Sequence, residues 1–230
     1  MQILFLETCL LQRVQSPLRQ YQQQPLQFTG EFYTHTLMTP FFTPTNVDYG
    51  APKVFLAAVG PKMTEVAGEV ADGIIVHAFT TEKYLRETTL PALERGFAKS
   101  GKRREDFAIS YPMFIVTGNT EEDMREAEQA TRQQIAFYGS TPAYKPVLES
   151  IGAGELQADL NTMSKQGRWQ EMGELITPDL LQEFAVIGEP QTLPDQIIGR
   201  YGDIVDRTSA AYAHIGKADR ANIIEKLSAV

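Results

Sequence analysis

The 230-residue chain carries 21 Lys and Arg against 29 Asp and Glu, a formal net charge of −8, with 43% hydrophobic residues, 22% charged residues and one cysteine. That composition excludes a disordered or collagen-like chain and an intramolecular disulfide scaffold, and no Cys/His cluster has zinc-ligand spacing. The acidic balance, without a basic stripe, sets nucleic acid aside as a partner, and no stretch approaches the roughly 18 apolar residues of a membrane-spanning helix.

Residues 1–28 read as an N-terminal helix and connector: Leu6, Leu10, Leu11 and Val14 fall at helical spacing among glutamines, and Pro17 and Pro25 follow. The opening MQILFLETCLL has no basic flank and is interrupted by Glu7, so a secretory signal is not expected, and the single cysteine fits a reducing cytoplasm. Residues 29–230 are taken as one domain. Its first part, 29–52, mixes aromatics with Pro40, Pro44 and Pro52 and is expected to form a structured loop with a short strand near 32–37.

From Val54 the pattern becomes regular. Val54 to Val59 is a short apolar run ended by Gly60-Pro61, which suits a strand buried on both faces. Met63, Val66, Ala67, Val70 and Ala71 then mark one apolar helical face, stopped by Asp72-Gly73. Ile74 to Phe79 repeats the strand signature, and 82–99 predicts a helix with Gly101 after its end. A strand over 107–116 leads to Thr120 and Asp123, an N-terminal capping pattern for a helix to about Tyr138. Residues 139–183 break the alternation and read as a helical insertion of two or three short stretches. Phe184 to Gly188 gives another strand, Thr192 with Asp195 a second capping pattern, 204–213 a last strand candidate, and 217–228 a closing helix.

Strands alternating with helices predict an α/β fold with right-handed crossovers and a parallel sheet. About four strand–helix units fit into 53–213, half of what a closed eight-unit barrel uses. Ligands of such folds bind at the carboxyl ends of the strands. The first informative end, Ala57-Ala58-Val59-Gly60, offers close backbone approach at Gly60 and the start of a helix with Pro61 in its first turn, a geometry that suits a phosphate or carboxylate. It equally describes a tight turn with no ligand. The second, His77-Ala78-Phe79-Thr80, places an imidazole, an aromatic face and a hydroxyl after a strand, and a phosphate shared with the first end is expected. The plain alternatives are a hydrogen-bonded core histidine and a helix cap at Thr80 or Thr81.

Other chemistry is not supported. His35, His214 and Cys9 stand outside any nucleophile motif, and neither a Walker A sequence nor a G-x-G-x-x-G follows a strand. Trp169 and Tyr144 face a substrate or serve as packing anchors.

The stretches VFLAAVGPKMTEVAGEVADGIIVHAF and TLPALERGFAKSG, with GEFYTHTLMTPFF, IAFYGSTPAY, GRW and FAVIGEP in the same order, resemble the luciferase-like monooxygenases, in the branch of oxidoreductases that use coenzyme F420. The similarity covers roughly residues 25 to 215. It implies a TIM-type (β/α)8 barrel, of which this chain holds the later four strand–helix units, and a bound coenzyme F420 or FMN. By position, Ala57, Ala58, Val59 and Gly60 match the family's strand end near the cofactor phosphate, and His77, Ala78, Phe79 and Thr80 match its second phosphate-side end. The family places Gly at Val59 and a polar stretch with Lys at 77–80, so a cationic clamp here requires a protonated His77 or a substitute. It also carries about four units ahead of residue 25, which supply the catalytic groups, so the resemblance implies a truncated product whose catalytic residues are not nameable. The expected activity is hydride transfer to or from a small organic substrate, with or without oxygen. The alternative is a non-catalytic remnant or partner subunit, whose open strand edges favour a homo-oligomer.

Overall fold

This computed structural model describes residues 27–31, 34–37, 39–41, 53–209 and 215–229. The expected N-terminal helix, Cys9 and His214 lie outside them. In chain order the elements are β1 (Phe28–Thr29), β2 (Thr34–His35), β3 (Phe55–Ala58), α1 (Pro61–Val70), β4 (Gly73–Val76), α2 (Glu82–Tyr84), a π-helical turn Leu85–Thr89 and α3 (Leu90–Ser100). Then follow β5 (Ala108–Ser110), β6 (Phe114–Val116), α4 (Glu121–Gly139), α5 (Lys145–Ser150), α6 (Leu156–Lys165), α7 (Trp169–Met172), α8 (Pro178–Phe184), β7 (Ala185–Ile187), α9 (Leu193–Tyr201) and α10 (Lys217–Ser228). The class is α/β, and the chain divides into two compact units: Met1–Ile75 with Pro91–Ala108, and Val76–Leu90 with Ile109–Val230.

In the first unit β1 and β2 pair antiparallel, Phe28 opposite His35, close to the predicted short strand. β3 and β4 lie side by side, and the backbone of Asp72 accepts the Ala108 N–H at 3.1 Å as β5 begins. Side chains alternate along the strands: Leu56, Ala58 and Ile74 are buried, Ala57 and Ile75 exposed. Helices α1 and α3 approach at two glycines. A Cβ on Gly68 would stand 2.7 Å from the Leu93 carbonyl, and one on Gly96 2.2 Å from that of Glu65. Backbones so close are available only to residues without a side chain. Across the helices' outer faces Glu65 meets Lys99 at 2.8 Å and Arg95 at 3.1 Å, exposed pairs of small stabilising effect.

In the second unit β6 and β7 pair parallel, Phe114 opposite Ala185 and Val116 opposite Ile187, as the alternation predicts. The nineteen-residue helix α4 starts at the predicted capping box: Thr120 Oγ1 accepts the Asp123 N–H, and the Asp123 carboxylate accepts the Thr120 N–H. The 139–183 segment forms four α-helices, where two or three stretches are predicted, and no strand. Its Leu148, Leu160, Met172, Ile176 and Leu181 join Phe79, Phe114, Ile135 and Phe184 in one core.

Three sequence expectations are corrected. The strand over 107–116 is two strands, because Tyr111 and Pro112 turn the chain, Pro112 brings no donor, and the Met113 N–H closes onto the Tyr111 carbonyl at 2.9 Å. Thr192 does not cap α9 with its side chain; its hydroxyl donates instead to the Glu189 carbonyl at 3.2 Å. Of the strand candidate at 204–213, residues 210–213 lie outside the described residues, and no strand forms over 204–209. Arg207 makes a single parallel bridge to Ser110, since the Asp206 carboxylate takes the Ile109 N–H at 2.7 Å in place of a ladder partner.

Candidate functional site

The carboxyl end of β4 gives the most developed constellation, and all of it belongs to the second unit. The strand stops at Val76, three residues short of the predicted Phe79, because the chain turns at His77. The Phe79 N–H donates to His77 Nδ1 at 3.0 Å and the Thr80 N–H to the Ala78 carbonyl at 2.9 Å. Thr81, one of the two caps the sequence offers, accepts the Tyr84 N–H at 3.2 Å and opens α2 beside Glu82.

Around this turn, which carries Phe79 itself, three aromatic side chains close in from distant sequence. Tyr144 lies against the His77 ring with centroids 4.7 Å apart and planes 27° apart, its Oη 3.2 Å from Nε2. Tyr138, on the last turn of α4, meets His77 edge-on at 4.7 Å. Phe79 is buried and stacks on Phe184 at 4.6 Å, anchoring the turn to the core. His77, Ala78, Tyr138 and Tyr144 are half-buried, so the end of the strand is an aromatic shelf open on one side.

Burial pushes the His77 imidazole below its ordinary 6.5. That shift, together with the Phe79 N–H directed at Nδ1, favours the neutral ring over a cationic clamp at His77. Thr80 is buried, its carbonyl accepts the Tyr111 hydroxyl at 3.3 Å, and its own Oγ1 has no hydrogen-bond partner among the described residues. Thr117, just past β6, likewise has a buried, unpartnered hydroxyl. Unmatched hydroxyls at strand ends are polar atoms that a ligand or ordered water commonly satisfies.

In the first unit Ala57, Ala58, Val59 and Gly60 are arranged as a strand end facing open space. Ala58 is buried and Val59 is 44% exposed. Gly60 has φ +80° and nothing within 4 Å of where a Cβ would stand, a left-handed turn that favours glycine. Its carbonyl accepts both the Thr64 N–H and the Thr64 hydroxyl, at 3.2 and 2.9 Å, and Pro61 begins α1. This end falls in the first unit and the His77 end in the second.

Trp169, weighed in the sequence as anchor or substrate contact, is 49% exposed beside the 52% exposed Phe137, with centroids 6.0 Å apart. They line a surface cleft of about 510 Å³ with Gln133, Gln134, Gln170 and Tyr138, and among the described residues no charged side chain lines it. Tyr138 thus has one edge on the cleft and another on His77. The sequence singled out Tyr144 as substrate contact or anchor but not Tyr138, and it gave no sign that either meets His77, because they lie 61 and 67 residues from it and no local period links them.

The sequence profile of the luciferase-like monooxygenases matches residues 10–207. The chain belongs to the luciferase-like monooxygenase family. An uncharacterized protein of Mycobacterium tuberculosis is 48% identical over 180 residues, covering 78% of this chain and 53% of its own length. An F420-dependent glucose-6-phosphate dehydrogenase of Nakamurella multipartita is 30% identical over 142 residues, 62% of this chain and 40% of that protein. Among solved structures, the coenzyme F420 dependent tetrahydromethanopterin reductase from Methanopyrus kandleri matches with a TM-score of 0.67 at 19% identity, over 90% of this chain and 58% of that one. At that identity the likeness speaks to the fold, the TIM-barrel type of the luciferase-like family. The chain spans about half the length of the curated relatives it matches.

Proposed function

We propose that this luciferase-like chain contributes the coenzyme F420-binding part of an oxidoreductase that exchanges a hydride with a small organic substrate. The supporting observation is the shelf after β4, where half-buried His77 and Ala78 lie beside the Tyr138 and Tyr144 rings and the buried Thr80 hydroxyl just behind them has no partner among the described residues. Membership in the family and the F420 dependence in its relatives' names support the choice of cofactor. These residues fit such a group: the Thr80 Oγ1 lacks a partner, and the half-open Tyr138 and Tyr144 rings offer flat apolar surface to a planar ring system. His77, Ala78, Phe79 and Thr80 would hold the ligand there. Ala57 to Gly60, in their own unit, offer a second open backbone end. When bound, the deazaflavin supplies the hydride chemistry; this chain's residues bind, orient and exclude water.

FMN is the rival ligand, and a cytoplasmic setting and a small-molecule substrate belong to the same proposal. Titration of the 230-residue chain with coenzyme F420 and, separately, with FMN, followed by ligand fluorescence, tests it. Saturable binding of F420 in preference to FMN is the expected result, and saturable binding of FMN alone or of neither ligand would refute it.

A second reading, a non-catalytic partner subunit, draws on exposed apolar residues at β3 and β4, Val59 at 44% and Ile75 at 41%. An oligomer that takes up neither ligand would favour it.

A further inference from the structure

The hydrogen bonds around His77 fix which of its nitrogens carries the proton. The Phe79 N–H can only donate, and it points at Nδ1 from 3.0 Å. Nδ1 must therefore present its lone pair, and a neutral imidazole then bears its hydrogen on Nε2. Nε2 lies 3.2 Å from Tyr144 Oη, so His77 donates and the Tyr144 oxygen accepts. A phenol that accepts from one neighbour keeps its own O–H for another. Burial holds that hydroxyl protonated, raising Tyr144 above its ordinary 10.0. No other protein acceptor for the hydroxyl is seen among the described residues, and the ring is half-buried at the open side of the shelf.

We infer that Tyr144 is a specificity-determining hydrogen-bond donor at this site, directed by His77 toward an oxo acceptor, a ring carbonyl or phosphoryl oxygen, on the bound ligand. His77 is its positioning residue. The ring stacking at 27° holds the Tyr144 plane, and the Nε2–H leaves its proton free to point only away from the imidazole. Ligands that offer a donor at that point, an amino or ammonium group, would meet hydrogen against hydrogen and are disfavoured. The inference rests on the proposed function for the identity of the ligand and goes beyond it in naming the group that reads it.

Two variants separate orientation from scaffolding. Tyr144→Phe removes the hydroxyl and keeps the stacked ring. His77→Asn retains an acceptor for the N–H two residues on, in the manner of an Asx turn, but is too short to reach Tyr144. Long-range proton–nitrogen NMR of the ligand-free 230-residue chain is expected to show His77 with a pyridine-type Nδ1 and a protonated Nε2 in both the parent and Tyr144→Phe; a protonated Nδ1 in the parent overturns the inference. Fluorescence titration with coenzyme F420 is expected to give roughly ten-fold weaker binding for Tyr144→Phe, the effect of one hydrogen bond, and a smaller loss for His77→Asn. If the parent chain binds F420 and Tyr144→Phe binds it equally well, the donor role is wrong and the proposed function stands. If the parent does not bind F420, the proposed function fails and the donor role with it, while the NMR spectrum still reports the tautomer.

Discussion

At the scale of single residues, His77 is the hinge between fold and site. Its imidazole accepts a backbone N–H from Phe79 and reaches Tyr144, so protonation of Nδ1 would set hydrogen against hydrogen inside the turn. Because burial lowers its folded value below 6.5, the unfolded chain binds more protons at mildly acidic pH. The contribution is therefore flat above about pH 6.5 and destabilising as pH falls from there through the folded value. Urea midpoints measured at about pH 7.5 and about pH 5.5 should fall more for the parent chain than for His77→Asn; equal falls would remove His77 as the cause. Phe184 marks the structural side of the same cluster. It is fully buried and stacked on Phe79, and Phe184→Ala should cost roughly 3–5 kcal/mol by denaturant titration, a result under about 1 kcal/mol showing that the shelf does not rest on that ring.

At the scale of elements, the first unit depends on how closely α1 and α3 approach. A methyl on Gly96 would stand 2.2 Å from a backbone carbonyl of α1, with no flexible side chain to yield. Gly96→Ala should lower stability by roughly 1–3 kcal/mol or prevent folding. Gly199, inside α9 with nothing within 4 Å, is the contrast: Gly199→Ala should raise stability by roughly 0.5–1 kcal/mol through helix propensity alone. Thermal melts of the pair check both signs, and two stabilising outcomes would contradict the tight helix contact. The elements were legible where the information is local. Short apolar runs marked β3, β4 and β7, and Thr120 with Asp123 marked the start of α4. They were obscure where a tertiary contact decides. The helix from Glu82 carries a π turn at Leu85–Thr89 just ahead of Pro91, a residue that cannot join the helical ladder, and a helical period does not reveal that adjustment. Thr192 and Asp195 matched a capping pattern, yet the Glu189 carbonyl took the hydroxyl.

At the scale of the molecule, the family was legible from several stretches that resemble it in the same order along the chain, while the walls of the site were not. His77 was readable as the residue after a strand; Tyr138 and Tyr144 reach it only through folding of the 139–183 segment and the end of α4. The exposed face of β3 and β4 in the first unit carries Ala57, Val59 and Ile75 in reach of solvent. We propose that such a surface drives self-association, and size-exclusion chromatography with light scattering should show a mass above 25.7 kDa; a strictly monomeric profile would argue that the face is tolerated in water. The most direct test of the whole account is amide-resonance mapping of the isotope-labelled chain as coenzyme F420 is added. The account predicts that the largest changes fall on Ala78, Phe79, Thr80 and Tyr144. Changes confined to the Phe137 and Trp169 cleft, or none at all, would contradict it.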